Sequence, residues 1–192
     1  MDLLTIQNDF VEAYRTNIHR TGSDKLLNWI CEETDFLSMP AGAKHHSAFP
    51  GGLAVHSLNV YRRLLFAVAA DAFGSARRED IQLLAVDVRE RCAILGLLHD
   101  LCKCDVYHEK EGGGYEFKDP FPLGHGEKSM YLINQFMRLS AEEALAIRWH
   151  MGAYDSAAIG DGFKALSAAQ NMTPWVWRLH RADMDATKLD EV

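Results

Sequence analysis

The side chains best suited to chemistry are an adjacent histidine and aspartate near the middle of the sequence. His99 and Asp100 end the uninterrupted apolar run 94–98, and Leu101 follows them. Because a buried carboxylate without a partner is costly in free energy, this position predicts a compensating group close to Asp100. A metal ion is one such group, since histidine nitrogen and carboxylate oxygen both bind first-row divalent metals.

Four further side chains of the same two types lie on other predicted helices, in register with apolar neighbours or at a helix start. Together with the adjacent pair they could complete the inner shells of one or two metal ions, with Asp100 bridging through its two oxygens. The alternative is a set of unrelated core residues, each with its own hydrogen bonds. The predicted metal ligands are His56, His99, Asp100, His125, His150 and Asp183.

The spacing of apolar residues predicts that helices position these side chains. The predicted helices span 2–20, 23–37, 79–103, 126–139, 141–150, 163–169 and 174–189, and another follows the Pro-Gly-Gly turn at 50–52. Ser140, with Glu143 three residues later, is typical of a helix start. Within 105–124, residues suited to strands flank three glycines and predict a small β-hairpin flap. The predicted fold class is all-α in a single domain, with a helical cap at 1–40 and a metal-binding core at 41–192.

Composition restricts the class of protein further. The chain has 192 residues, 48% of them hydrophobic, and a formal net charge of −7. Its longest apolar run, 64–70, is far shorter than the roughly 18 residues needed to span a bilayer. The four cysteines include no C-x-x-C pair, and the first residues lack the pattern of a secretory signal, so a cytoplasmic location is expected. The acidic balance argues against coating long nucleic acid, whereas a small anionic substrate fits.

The order of the six predicted ligands resembles that of the HD-domain superfamily of metal-dependent phosphohydrolases, in the version with two histidines between the HD pair and the last aspartate. This resemblance covers 44–189 and implies an HD-domain helical bundle with two divalent ions per chain, of Mn, Fe, Co, Mg, Ni or Zn. By this likeness, the first ion is held by His56, His99, Asp100 and Asp183. The second ion is held by Asp100, His125 and His150.

A second, local resemblance covers 43–58, which reads AKHHSAFPGGLAVHSL. This segment looks like the HHA-x-x-GGL-x-x-H segment of the HD domains in YhaM-type 3′–5′ exoribonucleases. Those enzymes carry an additional nucleic-acid-binding domain of the OB type, and we expect none here because the chain has no room for it. A nucleotide or short oligonucleotide is therefore expected as substrate rather than long RNA.

Basic residues near the predicted ligands are candidates for binding a substrate phosphate. Lys103 matches the last position of the superfamily's HD-x-x-K stretch, which implies a catalytic contact to phosphate. Lys128 and Arg148 are the next candidates for meeting negative charge on the phosphoryl group, although such residues are common on solvated helix faces. Asp155 is expected either to contact the substrate or to cap a helix.

Two neighbouring histidines, His45 and His46, precede the Pro-Gly-Gly turn into the helix of His56. From there, either could reach the edge of the site and protonate the leaving oxygen or bind phosphate. The alternative is that they are an ordinary loop pair without a catalytic role.

These features predict a metal-dependent phosphohydrolase, a phosphodiesterase or nucleotidase that uses a metal-activated water. The expected partner is a small phosphorylated substrate, and neither a membrane nor long nucleic acid is expected. Two alternatives stay open, because the fold alone does not determine the function. The same six ligands occur in HD-type mixed-valent di-iron oxygenases, and a nucleotide-binding sensor without catalysis could also use such a site.

Overall fold

The computed structural model describes residues 2–43 and 47–191, and their fold is all-α, which confirms the predicted class. The α-helices are α1 (Leu3–Asn17), α2 (Ser23–Glu32), α3 (Gly52–Phe73), α4 (Arg78–Leu83), α5 (Val86–Leu98), α6 (His125–Asn134), α7 (Ala141–Arg148), α8 (Gly162–Met172) and α9 (Trp175–Asp185). Short 3-10 helices cover Leu101–Lys103, Gly152–Tyr154 and Ser156–Ala158, and a π-helical turn covers Ala186–Asp190. Over the described ranges, none of these helices has the length and hydrophobicity required to cross a bilayer.

One β-hairpin interrupts the helices at the place where the run of glycines predicts it. Strand β1 (Tyr107–Glu109) pairs antiparallel with strand β2 (Tyr115–Phe117). In the turn between them, Gly113 and Gly114 have positive φ angles of 86° and 78°, a conformation that glycine adopts without steric cost. The hairpin predicted within 105–124 is confirmed.

Helices from distant parts of the sequence share one hydrophobic core. Helix α3 packs against α5 and α9, and α7 packs against α6 and α9. The N-terminal α1 lies on α3 and α5 and adds Ile6, Phe10 and Tyr14 to the same core. In α5, every residue from Cys92 to Leu98 is buried. The helices that carry the predicted metal ligands are therefore held together by the main core of the protein.

An ion pair connects the N-terminal segment to α7. The fully buried Glu143 carboxylate accepts two hydrogen bonds from the Arg20 guanidinium, at 2.6 and 2.9 Å. The same carboxylate accepts a hydrogen bond from the backbone N–H of Ser140, and this completes the predicted helix start. The division of the chain into a cap at 1–40 and a core at 41–192 stays a prediction.

The continuous helix predicted over 79–103 is wrong. Leu84 and Ala85 have extended backbone, with ψ angles of 140° and 147°, and they separate α4 from α5. From this bend, the Leu84 side chain enters the core and is only 7% exposed. Neither glycine nor proline marks the break, so the apolar spacing continues across it and the sequence predicts one helix.

Some helix ends also differ from the prediction. Helix α2 ends at Glu32 instead of continuing to 37, and it is preceded by Gly22 in a left-handed conformation with a φ of 91°. Helix α6 ends at Asn134 instead of 139. There the Asn134 side chain accepts a hydrogen bond from the backbone N–H of Leu139 at 3.2 Å, which stabilises the turn that follows. The spacing of apolar residues does not reveal side-chain hydrogen bonds of this kind, which compete with the helical ones near helix ends.

A close approach at Gly96 brings α5 against α3. A Cβ atom at this position would lie 2.3 Å from the Cα atom of Tyr61 and 2.7 Å from its backbone nitrogen. Because backbone atoms cannot move aside as a flexible side chain can, we expect Gly96→Ala to lower the free energy of unfolding by at least about 2 kcal/mol. Urea denaturation measures this loss. Gly112→Ala is the matched control, since a Cβ atom there meets nothing within 4 Å, and equal stability of the two variants would contradict the close packing.

Candidate metal centre

The six predicted ligands converge on one buried cluster. They come from α3, from the end of α5, from the start of α6, from the end of α7 and from α9. Their ligand atoms form three overlapping sets, and the atoms of each set lie within 4.8 Å of one another. The sets are His56 with His99 and Asp100, Asp100 with His125 and His150, and His99 with His150 and Asp183.

The end of α5 places the adjacent histidine and aspartate in this cluster. His99 follows the last helical residue and keeps helical backbone angles, whereas Asp100 departs from them, with φ −101° and ψ 20°. The chain then continues in the 3-10 helix Leu101–Lys103. Both side chains stay inside the bundle, at 0% and 2% exposure. A histidine and a carboxylate are thus fixed side by side at the point where the helix geometry changes.

Two of the imidazoles present a free ring nitrogen to the cluster. The Nδ1 atom of His99 donates to the Gly96 carbonyl at 3.0 Å, and that of His150 donates to the Ile147 carbonyl at 2.7 Å. A carbonyl oxygen can only accept, so a proton is on Nδ1, and Nε2 is the nitrogen that can bind a cation when the ring is neutral. Both Nε2 atoms are buried and have no hydrogen-bond partner in the described part of the chain. Metal-bound histidines have this arrangement, so these residues fit a divalent cation.

Asp100 lies at the centre of the cluster. Its Oδ1 atom is 2.8 Å from His125 Nε2 and 3.4 Å from His150 Nε2. Its Oδ2 atom is 3.5 Å from His56 Nε2 and 3.6 Å from His99 Nε2. Each oxygen therefore faces a different pair of imidazoles, which is the arrangement needed for one carboxylate to bridge two ions. This geometry is compatible with the ligand division that the family resemblance implies, and the number of ions stays a prediction.

The electrostatics of the cluster favour ionised carboxylates. Burial by itself raises the pKa of Asp100, but the charge of Lys103 and the neighbouring histidines hold that pKa well below its usual range. Burial likewise opposes ionisation of Asp183, and its hydrogen bond with His56 outweighs this and lowers the pKa. Burial disfavours the charged form of His56 too, yet the adjacent carboxylates raise its pKa to about 9. For His99, burial dominates and lowers the pKa to about 3, so this imidazole is neutral and ready to bind a cation.

Lys103 lies at the junction of two cavities beside the cluster. Its Nζ atom is 2.8 Å from Asp100 Oδ2. Burial lowers the pKa of this lysine, but the Asp100 carboxylate outweighs burial and raises it, so the side chain is a fixed cation. The larger cavity, of about 730 Å³, reaches Asp100 and Asp183, and the smaller one has about 440 Å³. Lys103, Gly124 and His125 line both cavities.

The other predicted substrate contacts line these cavities or lie beside them, and they are paired with partners of opposite charge. Lys128 is buried beside the smaller cavity, with its Nζ atom 2.7 Å from Asp119 Oδ1. Arg148 forms ion pairs with Glu127 at 2.6 Å and with Asp155 at 2.7 Å. Asp155 lines the larger cavity and also caps the 3-10 helix that follows it. A phosphate would have to compete with these partners, and the contacts of the three residues with substrate stay predictions.

Two contacts to the predicted ligands have no signal in the sequence. Glu191 Oε1 lies 3.0 Å from His56 Nδ1, although 135 positions separate the two residues. Cys102 Sγ lies 3.2 Å from His125 Nδ1. Neither contact belongs to a motif or a shared helical stripe, so only the fold reveals them. His45 and His46 lie outside the described residues, and their proposed roles stay predictions.

Comparison with known proteins gave one match. A family model described as HD domain matches residues 53–187, which include all six residues of the cluster. No curated protein and no solved structure matches the chain. The likeness of 43–58 to a segment of exoribonucleases is therefore not supported by a matched relative.

Proposed function

Because this chain belongs to the HD domain family, a superfamily of metal-dependent hydrolases, we propose that it hydrolyses a phosphoester of a nucleotide or short oligonucleotide. The observation that carries the proposal is the pair of buried, inward-facing Nε2 atoms of His99 and His150 on either side of the Asp100 carboxylate. Buried polar atoms without partners are rare in folded proteins, and a bound cation would satisfy all of them at once.

The residues that would hold divalent cations are the six members of the cluster. When bound, such ions lower the pKa of water and neutralise charge on a phosphoryl group. The protein's own contribution is to hold the imidazoles in one tautomer. Backbone carbonyls accept hydrogen bonds from the Nδ1–H groups of His99 and His150, which keeps both Nε2 atoms on the side of the ring that faces Asp100. The core packing around α5 excludes bulk water from these two side chains.

Lys103 is the cation that we assign to the phosphoryl oxygens. It borders both cavities, and its ammonium group is held next to the cluster by Asp100. A substrate phosphate that enters from either cavity would reach this ammonium group close to the cluster. A fixed cation at this position stabilises the negative charge that grows during phosphoryl transfer, and it needs little reorganisation to do so.

The larger cavity supports a substrate of nucleotide size. Its volume of about 730 Å³ lies within the range typical of small-molecule sites. Tyr154, Met151 and Met184 provide an apolar wall that suits a base, while Asp100 and Asp183 mark the end of the cavity where bound cations would face the phosphate. The net charge of −7 agrees with a small substrate rather than a long polyanion.

A substrate screen tests this proposal. Protein loaded with manganese, magnesium, cobalt or iron is incubated with nucleoside mono-, di- and triphosphates, cyclic dinucleotides and short RNA, with and without dioxygen. We expect metal-dependent release of phosphate or of a shorter nucleotide, at the same rate in the absence of dioxygen. Turnover that requires both iron and dioxygen would indicate an oxygenase instead. Binding of metal and nucleotide with no product across the panel would indicate a sensor.

A further inference from the structure

The carboxylate of Glu191 is buried against the predicted ligand His56. Its Oε1 atom lies 3.0 Å from the imidazole Nδ1 atom, and its side chain is only 2% exposed. Two further donors fix the carboxylate: Ser47 Oγ donates to Oε2 at 2.7 Å, and Asn59 Nδ2 donates to Oε1 at 3.3 Å. Three hydrogen bonds on a buried carboxylate define its position closely.

The partner on Nδ1 distinguishes His56 from the other imidazoles of the cluster. His99 and His150 donate to neutral backbone carbonyls, and the Nδ1 atom of His125 contacts the Cys102 thiol. His56 has an anionic partner. A carboxylate that accepts the Nδ1–H proton makes the opposite nitrogen more basic and holds the ring plane, and both effects strengthen its bond to a metal.

The fold carries Glu191 to this place through the segment that follows α9. The π-helical turn Ala186–Asp190 packs against α3. There the Asp190 carboxylate forms an ion pair with Arg63. Asp190 therefore anchors the segment to α3, whereas Glu191 contacts the imidazole itself. The two adjacent carboxylates therefore have different contacts, one with Arg63 and the other with the predicted metal ligand His56.

We propose that Glu191 is a positioning residue that acts through His56 and tightens the binding of divalent metal at the cluster. This inference rests on the proposed function only in that it requires the cluster to bind metal. It does not depend on which substrate is hydrolysed. Removing an outer partner of a metal-bound histidine typically costs about 10- to 100-fold in metal affinity.

Cobalt binding to the metal-free protein tests the inference without any substrate. Competition with a chromophoric chelator gives the Kd for Co²⁺, and the visible absorption of the bound ion reports its ligand geometry. For Glu191→Ala we expect a Kd about 10- to 100-fold higher than in the wild type, with a shifted absorption band. For Glu191→Gln we expect a smaller rise, since the amide oxygen still accepts the Nδ1–H proton but carries no charge.

Asp71→Asn is the matched control, because it removes an exposed ion pair between α3 and Arg178, at 3.0 Å, and leaves both the contact to His56 and its anchor Asp190 in place. We expect this variant to bind Co²⁺ like the wild type. Unchanged affinity in both Glu191 variants, or an equal loss in Asp71→Asn, would overturn the inference. Thermal unfolding of the metal-free proteins checks that each variant is folded. If Glu191→Ala is unfolded, the Kd of Glu191→Gln for Co²⁺ tests the inference instead. A protein that binds Co²⁺ in this pattern but hydrolyses nothing would contradict only the proposed function.

Discussion

Replacing Asp100 by alanine should lower the rate of phosphoester hydrolysis by at least about a thousandfold and should remove metal from the protein at the same time. The reason is geometric. The Oδ1 atom faces His125 and His150, and the Oδ2 atom faces His56 and His99, so one side chain faces all four imidazoles of the cluster. Loss of both oxygens leaves the imidazoles without the anion that they share.

Metal analysis and the kcat/KM of the same samples measure the two effects. Asp161→Ala is the control, because it removes an aspartate that is 94% exposed and that pairs with the exposed Lys164. Asp100→Asn is a second variant that keeps the size of the buried side chain, and circular dichroism verifies its fold. An Asp100→Ala protein with full metal content and wild-type turnover would refute the central position of this carboxylate.

Replacing Lys103 by methionine should lower kcat by about 100- to 1,000-fold, while the protein keeps its metal. The ammonium group lies 2.8 Å from Asp100 Oδ2 and borders both cavities, but it cannot bind a cation itself. Its loss removes positive charge where the phosphoryl oxygens are expected. Methionine keeps the length and the apolar part of the side chain, so the packing changes little.

Steady-state kinetics together with metal analysis separate this role from a structural one. Lys25→Met is the control, since this lysine is exposed on α2 and lines neither cavity. A rise in KM with unchanged kcat would show that Lys103 contributes only uniform substrate binding. Loss of metal together with activity would instead show that it supports the ligands. Either result contradicts its assignment to the transition state.

The sequence predicts most of the architecture around the site, because that architecture depends on the spacing of nearby residues and on the chemistry of single side chains. Apolar spacing places most helices, and the glycine run places the hairpin. Part of the cluster follows from the free-energy cost of burying a carboxylate, and the rest from the types and order of the residues on the other helices. Asp100 directly after the buried end of α5 requires a compensating partner, and the structure gathers the same six side chains that the sequence selects.

Other features depend on contacts between residues that are far apart in sequence. At the bend, the Leu84 side chain enters the core, and neither glycine nor proline marks the bend in the sequence. The contact of Glu191 with His56 spans 135 positions and involves the segment after the last α-helix. The pairing of Arg148 with Glu127 and Asp155 also requires the folded arrangement of helix ends. Such contacts are set by the tertiary packing, which single-sequence patterns do not encode.

The location of bound metal in the protein tests the proposed metal centre most directly. Crystals soaked in Mn²⁺ and measured at the manganese absorption edge give anomalous difference peaks that identify the bound ions. We expect strong density within about 2.0–2.4 Å of the Nε2 atoms of His99 and His150 and of the Asp100 carboxylate. Manganese found only at surface carboxylates, with these three side chains in direct contact with one another and no peak between them, would contradict the proposed metal centre.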